Sequence, residues 1–186
     1  SCASSWLILD CGLAIGDVRI GAVMSTDELR QRTFNRAVKL LTIKPRSEAE
    51  LRERLLRDKN TNEAVVEKVI ARLREYGYVN DERFAYSYAA LKVKQRPLGR
   101  RRLQRDLKLK KVAGSVADEA LELVYAETPE EQLLDAAIEK RIRLRGRPSN
   151  RLEAKSLFDH LLRQGFPFDL VSEKVRSVVR AEIDEE

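Results

Sequence analysis

Between Arg46 and Ala89 the apolar positions recur at helical spacing and are interrupted at regular points. Ser47 followed by Glu50 has the spacing of a capping box, and Leu51, Leu55 and Leu56 form the stripe behind it. Lys59-Asn60 predicts a helix end, since Asn tolerates the left-handed conformation common there. A second helix is expected from Asn62, with Val65, Val66, Val69, Ile70 and Leu73 on one side, stopping at Gly77. A third starts at Asn80 or Asp81 and presents Phe84, Ala85, Tyr88 and Ala89. Three short amphipathic helices bury their stripes only by packing together, so the stretch predicts a three-helix bundle.

The pattern repeats. Leu103 and Leu107 stand 52 positions after Leu51 and Leu55, and Ala117 and Leu121 stand 52 after Val65 and Val69. A further helix follows Thr128-Pro129-Glu130-Glu131, read as an N-cap Thr with Pro at the first helical position, and carries Leu134, Ile138 and Ile142. Leu157, Leu161, Val171 and Val175 continue the series at an offset of 54, with Gly165 at a helix end. Ahead of the first copy, Thr26 to Ile43 predicts a helix with Phe34, Val38 and Leu41 inward. The expected fold is all-α: an elongated array of three tandem three-helix units, with room for only two helices in the last. The expected divisions are a tail over 1–25, a first unit with its leading helix over 26–95, a basic second unit over 96–147, and a third unit with an acidic tail over 148–186. The joint between the first two is placed at the Pro/Gly-bearing turn Lys94 to Gly99.

Composition narrows the function. The 186 residues are 43% hydrophobic and 35% charged, with net charge +6. No apolar run approaches the roughly 18–20 residues of a membrane span. Cys2 and Cys11 form no metal-type spacing with His160, the single histidine, so a reduced cytoplasmic setting is expected, with no metal or cofactor. The apolar run Trp6 to Leu9 is cut by Asp10 and lacks a basic lead, which argues against a secretory signal. Met24, the one methionine, precedes a natural helix start at Ser25, so residues 1–23 are expected to lie upstream of the native start. Asp17 to Val23 alternates weakly. No GxxxxGK[ST], GxSxG or HExxH pattern is present, and His160 reads as a partly exposed helical residue; no catalytic residue is expected.

Charge is unevenly distributed. Residues 94–111 carry nine Lys/Arg against Asp106 alone; residues 112–138 carry seven acids and no base; residues 139–151 are basic again. With Leu103 and Leu107 inward, Arg101, Arg105 and Lys108 share the outer face of their helix, and Lys140, Arg143 and Arg147 form a second outer row. Together with Arg96, Arg100 and Lys111 these are the candidate phosphate-binding residues. No base-reading motif accompanies them, so contact with single- or double-stranded DNA should be indifferent to sequence. The acidic block is expected to face protein. Tyr78 and Phe84 are expected to pack a corner between helices rather than stack on bases.

Arg46-Ser47-Glu48-x-Glu50-Leu51, and then Tyr76-Gly77-Tyr78-Val79-Asn80-Asp81-Glu82-Arg83-Phe84-Ala85, resemble the signature of the RecX family, regulators of the RecA recombinase. Pro97 to Leu107 is similar to that family's second repeat, and the likeness spans about residues 35–180. The family's Lys-Gly helix end is replaced here by Lys59-Asn60 and Lys111-Val112. The resemblance implies a non-enzymatic inhibitor that binds the groove of the RecA–DNA filament and damps ATP hydrolysis and strand exchange, in recombinational repair and the SOS response; a monomer is expected, although acidic and basic blocks could also pair between molecules. The competing class is a stand-alone DNA-binding module such as a helix-turn-helix regulator.

Overall fold

The computed structural model describes residues 25–183, so the expectations for the tail and Met24 fall outside it. The described residues contain nine helices and no strand: α1 (Thr26–Ile43), α2 (Glu48–Leu56), α3 (Glu63–Glu75), α4 (Asp81–Gln95), α5 (Arg100–Leu109), α6 (Gly114–Glu127), α7 (Glu130–Arg145), α8 (Arg151–Gln164) and α9 (Phe168–Ile183).

Three cores organise them. Leu51, Leu55, Val65, Val66, Val69, Ile70 and Leu73 of α2 and α3 pack with Ala37 of α1 and with Val79. Ala85 and Ala89 of α4 pack with Leu103 and Leu107 of α5 and with Ala117, Ala120, Leu121 and Val124 of α6. Leu133, Leu134, Ala137 and Ile138 of α7 pack with Leu157 and Leu161 of α8, Phe166, and Val171 and Val175 of α9. Each unit is therefore a long helix followed by two more, one helix out of step with the division read from the sequence. The last unit has three helices, and the turn at Lys94–Gly99 lies inside the second unit. A stripe shows which face of a helix is buried, not which neighbour buries it. Val79 closes the first core, and Asn80 then starts α4 in the second. Small residues at Ala85, Ala89, Ala117 and Ala120 let α4 and α6 approach closely.

Helix ends follow short-range chemistry. Ser25 and Glu28 form a reciprocal capping box at α1. Asn62, Asn80 and Asn150 each accept the N–H three residues on. Two expected caps differ. Pro129, not Thr128, holds the N-cap position of α7, and no side chain caps it. At α2 only half of the box forms: Ser47 Oγ accepts from Glu50 N at 3.2 Å, while the Glu50 carboxylate instead takes Lys110 Nζ at 2.9 Å. The fully buried Ser47 hydroxyl donates to the Lys110 carbonyl, so this cap also fastens the first unit to the second. Lys111 ends α5 with φ +58, the left-handed turn that a glycine would make without strain.

The second joint is made by backbone. Gly99 N donates to the Gln164 carbonyl at 3.0 Å, and Arg101 N donates to the Gly165 carbonyl at 3.3 Å. The free N–H groups opening α5 thus meet the free carbonyls closing α8. A Cβ on Gly99 would lie 2.3 Å from the Gly165 carbonyl carbon, and one on Gly165 would lie 2.4 Å from Arg102 N.

Candidate nucleic-acid interface

Helix α5 begins with Arg100, Arg101 and Arg102, three cations at the end of a helix whose dipole favours anions. No acid occupies that first turn and Gly99 offers no side-chain cap. Acids from α6, from the start of α7 and from later in α5 itself compensate. Glu130 Oε1 accepts Arg100 N at 2.7 Å, Glu122 pairs with the Arg100 guanidinium at 2.6 Å, and Asp106 lies 3.3 Å from Arg102 Nε. The bond to Glu122 raises the Arg100 pKa, and the same bond holds the Glu122 carboxyl below its usual range.

These pairs divide the nine candidate cations. Arg100 is engaged with Glu122, and Lys111 with Glu53 at 2.7 Å across the joint between the first and second units; both serve the fold. Arg101, Arg105 and Lys108 are exposed along the outer face of α5 and form no ion pair with the described residues. Arg105 Nε donates to the Arg101 carbonyl at 3.3 Å, which lays its side chain back along the helix. Lys140 and Arg143 are exposed on α7, but the helix ends at Arg145 and Gly146 turns the chain at φ +83. Arg147 therefore lies past the helix and does not continue its row.

Arg96 and Lys140, assigned from sequence to different clusters, line one cleft of about 240 Å³ between the second and third units. Arg141 and His160 complete its polar lining. Arg141 belongs to neither outer row expected from sequence, and His160, expected and found as a partly exposed helical residue, acquires cationic neighbours only when α7 packs on α8. Burial, then Arg141, Arg163 and Arg145, depress the His160 pKa.

The acidic block is partly engaged within the molecule. Asp118 accepts from Gln104, Glu127 from the Tyr86 hydroxyl, and Glu131 and Asp135 hold Lys174. With Glu122 and Glu130 on Arg100, six of its seven acids have a partner within the molecule, while Glu122 and Glu131 stay largely exposed. The aromatic turn also departs from expectation. Tyr78 is 56% exposed and Tyr76 55%, while Val79 fills the corner and Phe84 is half-buried against Tyr88. Arg72 lies 4.8 Å from the Phe34 ring centroid and 5.3 Å from that of Tyr76, which holds this aromatic edge in place. Among the described residues no cluster of acids, His and Cys is placed to hold a metal, and no helix is long and apolar enough to cross a membrane.

Comparison with known proteins agrees with the helical grouping. Residues 34–73 match the model of the first three-helix domain of RecX, and residues 80–121 that of the second. The regulatory protein RecX of Prosthecochloris aestuarii is 31% identical over 76% of this chain and 89% of its own length. That of Bacillus velezensis is 33% identical over 87% of this chain, which spans 60% of that relative's length. The crystal structure of RecX from Lactobacillus salivarius superposes with a TM-score of 0.72 at 20% identity, covering 83% of this chain and 99% of that one, which bears on the fold alone. The chain belongs to the RecX family of regulatory proteins.

Proposed function

We propose that this protein restrains the RecA recombinase by seating along the RecA–DNA filament, with DNA contacts that do not read base sequence. The observation that carries the reading is the outer face of α5. There Arg101, Arg105 and Lys108 have no acid among the described residues, although the fold supplies acids to Arg100, Arg102, Lys110 and Lys111. Cations not committed to internal pairs are available to displace counterions from phosphates. Three units joined in series by the Ser47–Lys110 and Gly99–Gln164 hydrogen bonds give a surface suited to successive subunits of a helical filament. No sequence-reading helix is required, because phosphate contacts position a protein without specifying a site.

The test is sedimentation with RecA filaments assembled on single-stranded DNA. The protein should pellet with the filaments, and Arg101→Ala/Arg105→Ala/Lys108→Ala should pellet much less while keeping its helical circular dichroism. On free single-stranded DNA the variant should flatten the log K against log salt slope by about 0.7 for each phosphate no longer neutralised. Wild-type protein that stays in the supernatant would remove the filament reading, and an unchanged slope would make the row an ordinary solvated face.

A further inference from the structure

The cleft between the second and third units is a more enclosed cationic site than either outer row. Arg96 and Pro97 enter it from the turn before α5, Lys140 and Arg141 from α7, and His160 and Gln164 from α8. None of its lining residues is a carboxylate. This contrasts with the neighbouring basic positions Arg100, Lys110 and Lys111, each of which the fold has paired. Like charges gathered without a counter-charge repel one another, and an arriving anion relieves that repulsion.

We propose that this cleft seats a phosphodiester of a nucleic-acid strand, with Arg96, Lys140 and Arg141 as its counter-charges and His160 as an additional hydrogen-bond donor. The proposal rests on the reading that the protein touches nucleic acid, and it deepens that reading by locating a second point of attachment. Three cations exceed what one carboxylate needs, and they suit a group whose acceptor oxygens point in several directions. Ala137 and Leu144 extend the lining beside Pro97 as an apolar side, a surface for the sugar of a strand rather than for a hydrated free ion.

Proton linkage follows. The imidazole shares the cleft with Arg96 from the turn before α5 and with Lys140 and Arg141 of α7, and burial together with Arg141, Arg163 and Arg145 favours its neutral form. A bound phosphodiester offsets the cations and accepts a hydrogen bond from the imidazolium, so binding raises the His160 pKa and takes up a proton. Affinity therefore increases as pH falls through the ordinary histidine range, by at most roughly tenfold per pH unit for one proton.

The experiment is fluorescence anisotropy of a labelled oligothymidylate with the full chain, across salt and between about pH 5.5 and 7.5. Wild type should bind severalfold tighter at the lower pH. His160→Gln should lose that difference while matching wild type at the higher pH. Arg96→Ala/Lys140→Ala, two exposed positions whose truncation leaves the cores intact, should flatten the salt slope by about 0.7, the value for the one phosphate seated in the cleft. An unchanged slope in a variant of a binding-competent wild type would overturn the cleft and leave the α5 row standing. A pH difference that survives in His160→Gln would overturn the role of His160. Displacement of the oligonucleotide by millimolar inorganic phosphate at constant ionic strength would identify a free-phosphate site and overturn the strand. Failure of wild type to bind at low salt would remove the nucleic-acid reading itself.

Discussion

Gly165→Ala and Gly99→Ala should each lower the urea midpoint strongly and loosen the third unit from the second. At Gly165 two effects add. The residue closes α8 with φ +95, a conformation costing an L side chain roughly 1–2 kcal/mol. Its new Cβ would also stand 2.4 Å from Arg102 N and 2.5 Å from Arg102 Cβ. Gly99 isolates the steric part, since its φ of −80 suits any residue while its Cβ would meet Gly165 backbone at 2.3 Å. Backbone cannot rotate away as a side chain does, so the joint must open and break the Gly99–Gln164 and Arg101–Gly165 bonds. Overpacking of this kind costs about 1–3 kcal/mol, and Gly165→Ala should reach roughly 2–5 kcal/mol with the strain added. Gly114→Ala is the control: nothing lies within 4 Å of its Cβ position, and in the first turn of α6 it should be neutral or mildly stabilising. All three variants melting alike would mean the two units are not held by this close approach. Hydrogen exchange should locate the damage in α8 and α9 and spare α1 to α3.

Phe166→Ala should be the most damaging large-to-small change, and Phe84→Ala a much milder one. Phe166 is 1% exposed and is the largest fully buried side chain, seated in the third core immediately after the Gly165 turn. Truncation removes its transfer energy and leaves a cavity, about 3–5 kcal/mol together. Phe84 belongs to the conspicuous aromatic turn, yet it is half-buried and stacked on Tyr88 with ring centroids 6.0 Å apart. Retained solvent exposure should reduce its cost to roughly half. Urea titrations of the two variants decide this, and equal losses would show that burial does not govern the difference.

Much of the fold was legible because it is written at short range. Leu51 and Leu55 of α2, the stripes of α3, α5 and α8, the Asn caps of α3 and α4, and the left-handed glycine ending α8 stand where periodicity and capping chemistry put them, whereas Leu56 of the expected α2 stripe is exposed. The grouping of helices was not legible at that range. The stripe of α4 fits the cores before and after it equally well, and Ala85 with Ala89 finds its partner only in α6. The Glu50 carboxylate could not be assigned either: spacing alone satisfies a local cap, whereas Lys110, sixty residues on, competes for it and wins. The candidate site shows the same limit. Local periodicity puts Arg101, Arg105 and Lys108 on the exposed face where they are found, but it does not show that Arg100 and Lys111 are ion-paired, and the gathering of Arg96, Lys140, Arg141 and His160 depends on α7 and α8 meeting the turn before α5.

The most direct measurement is RecA-dependent ATP hydrolysis on single-stranded DNA, followed while this protein is titrated in. Hydrolysis should fall progressively as the protein approaches the concentration of filament subunits, and Arg101→Ala/Arg105→Ala/Lys108→Ala should require clearly more protein for the same reduction. Hydrolysis that stays at its full rate at that concentration would contradict a role in restraining RecA.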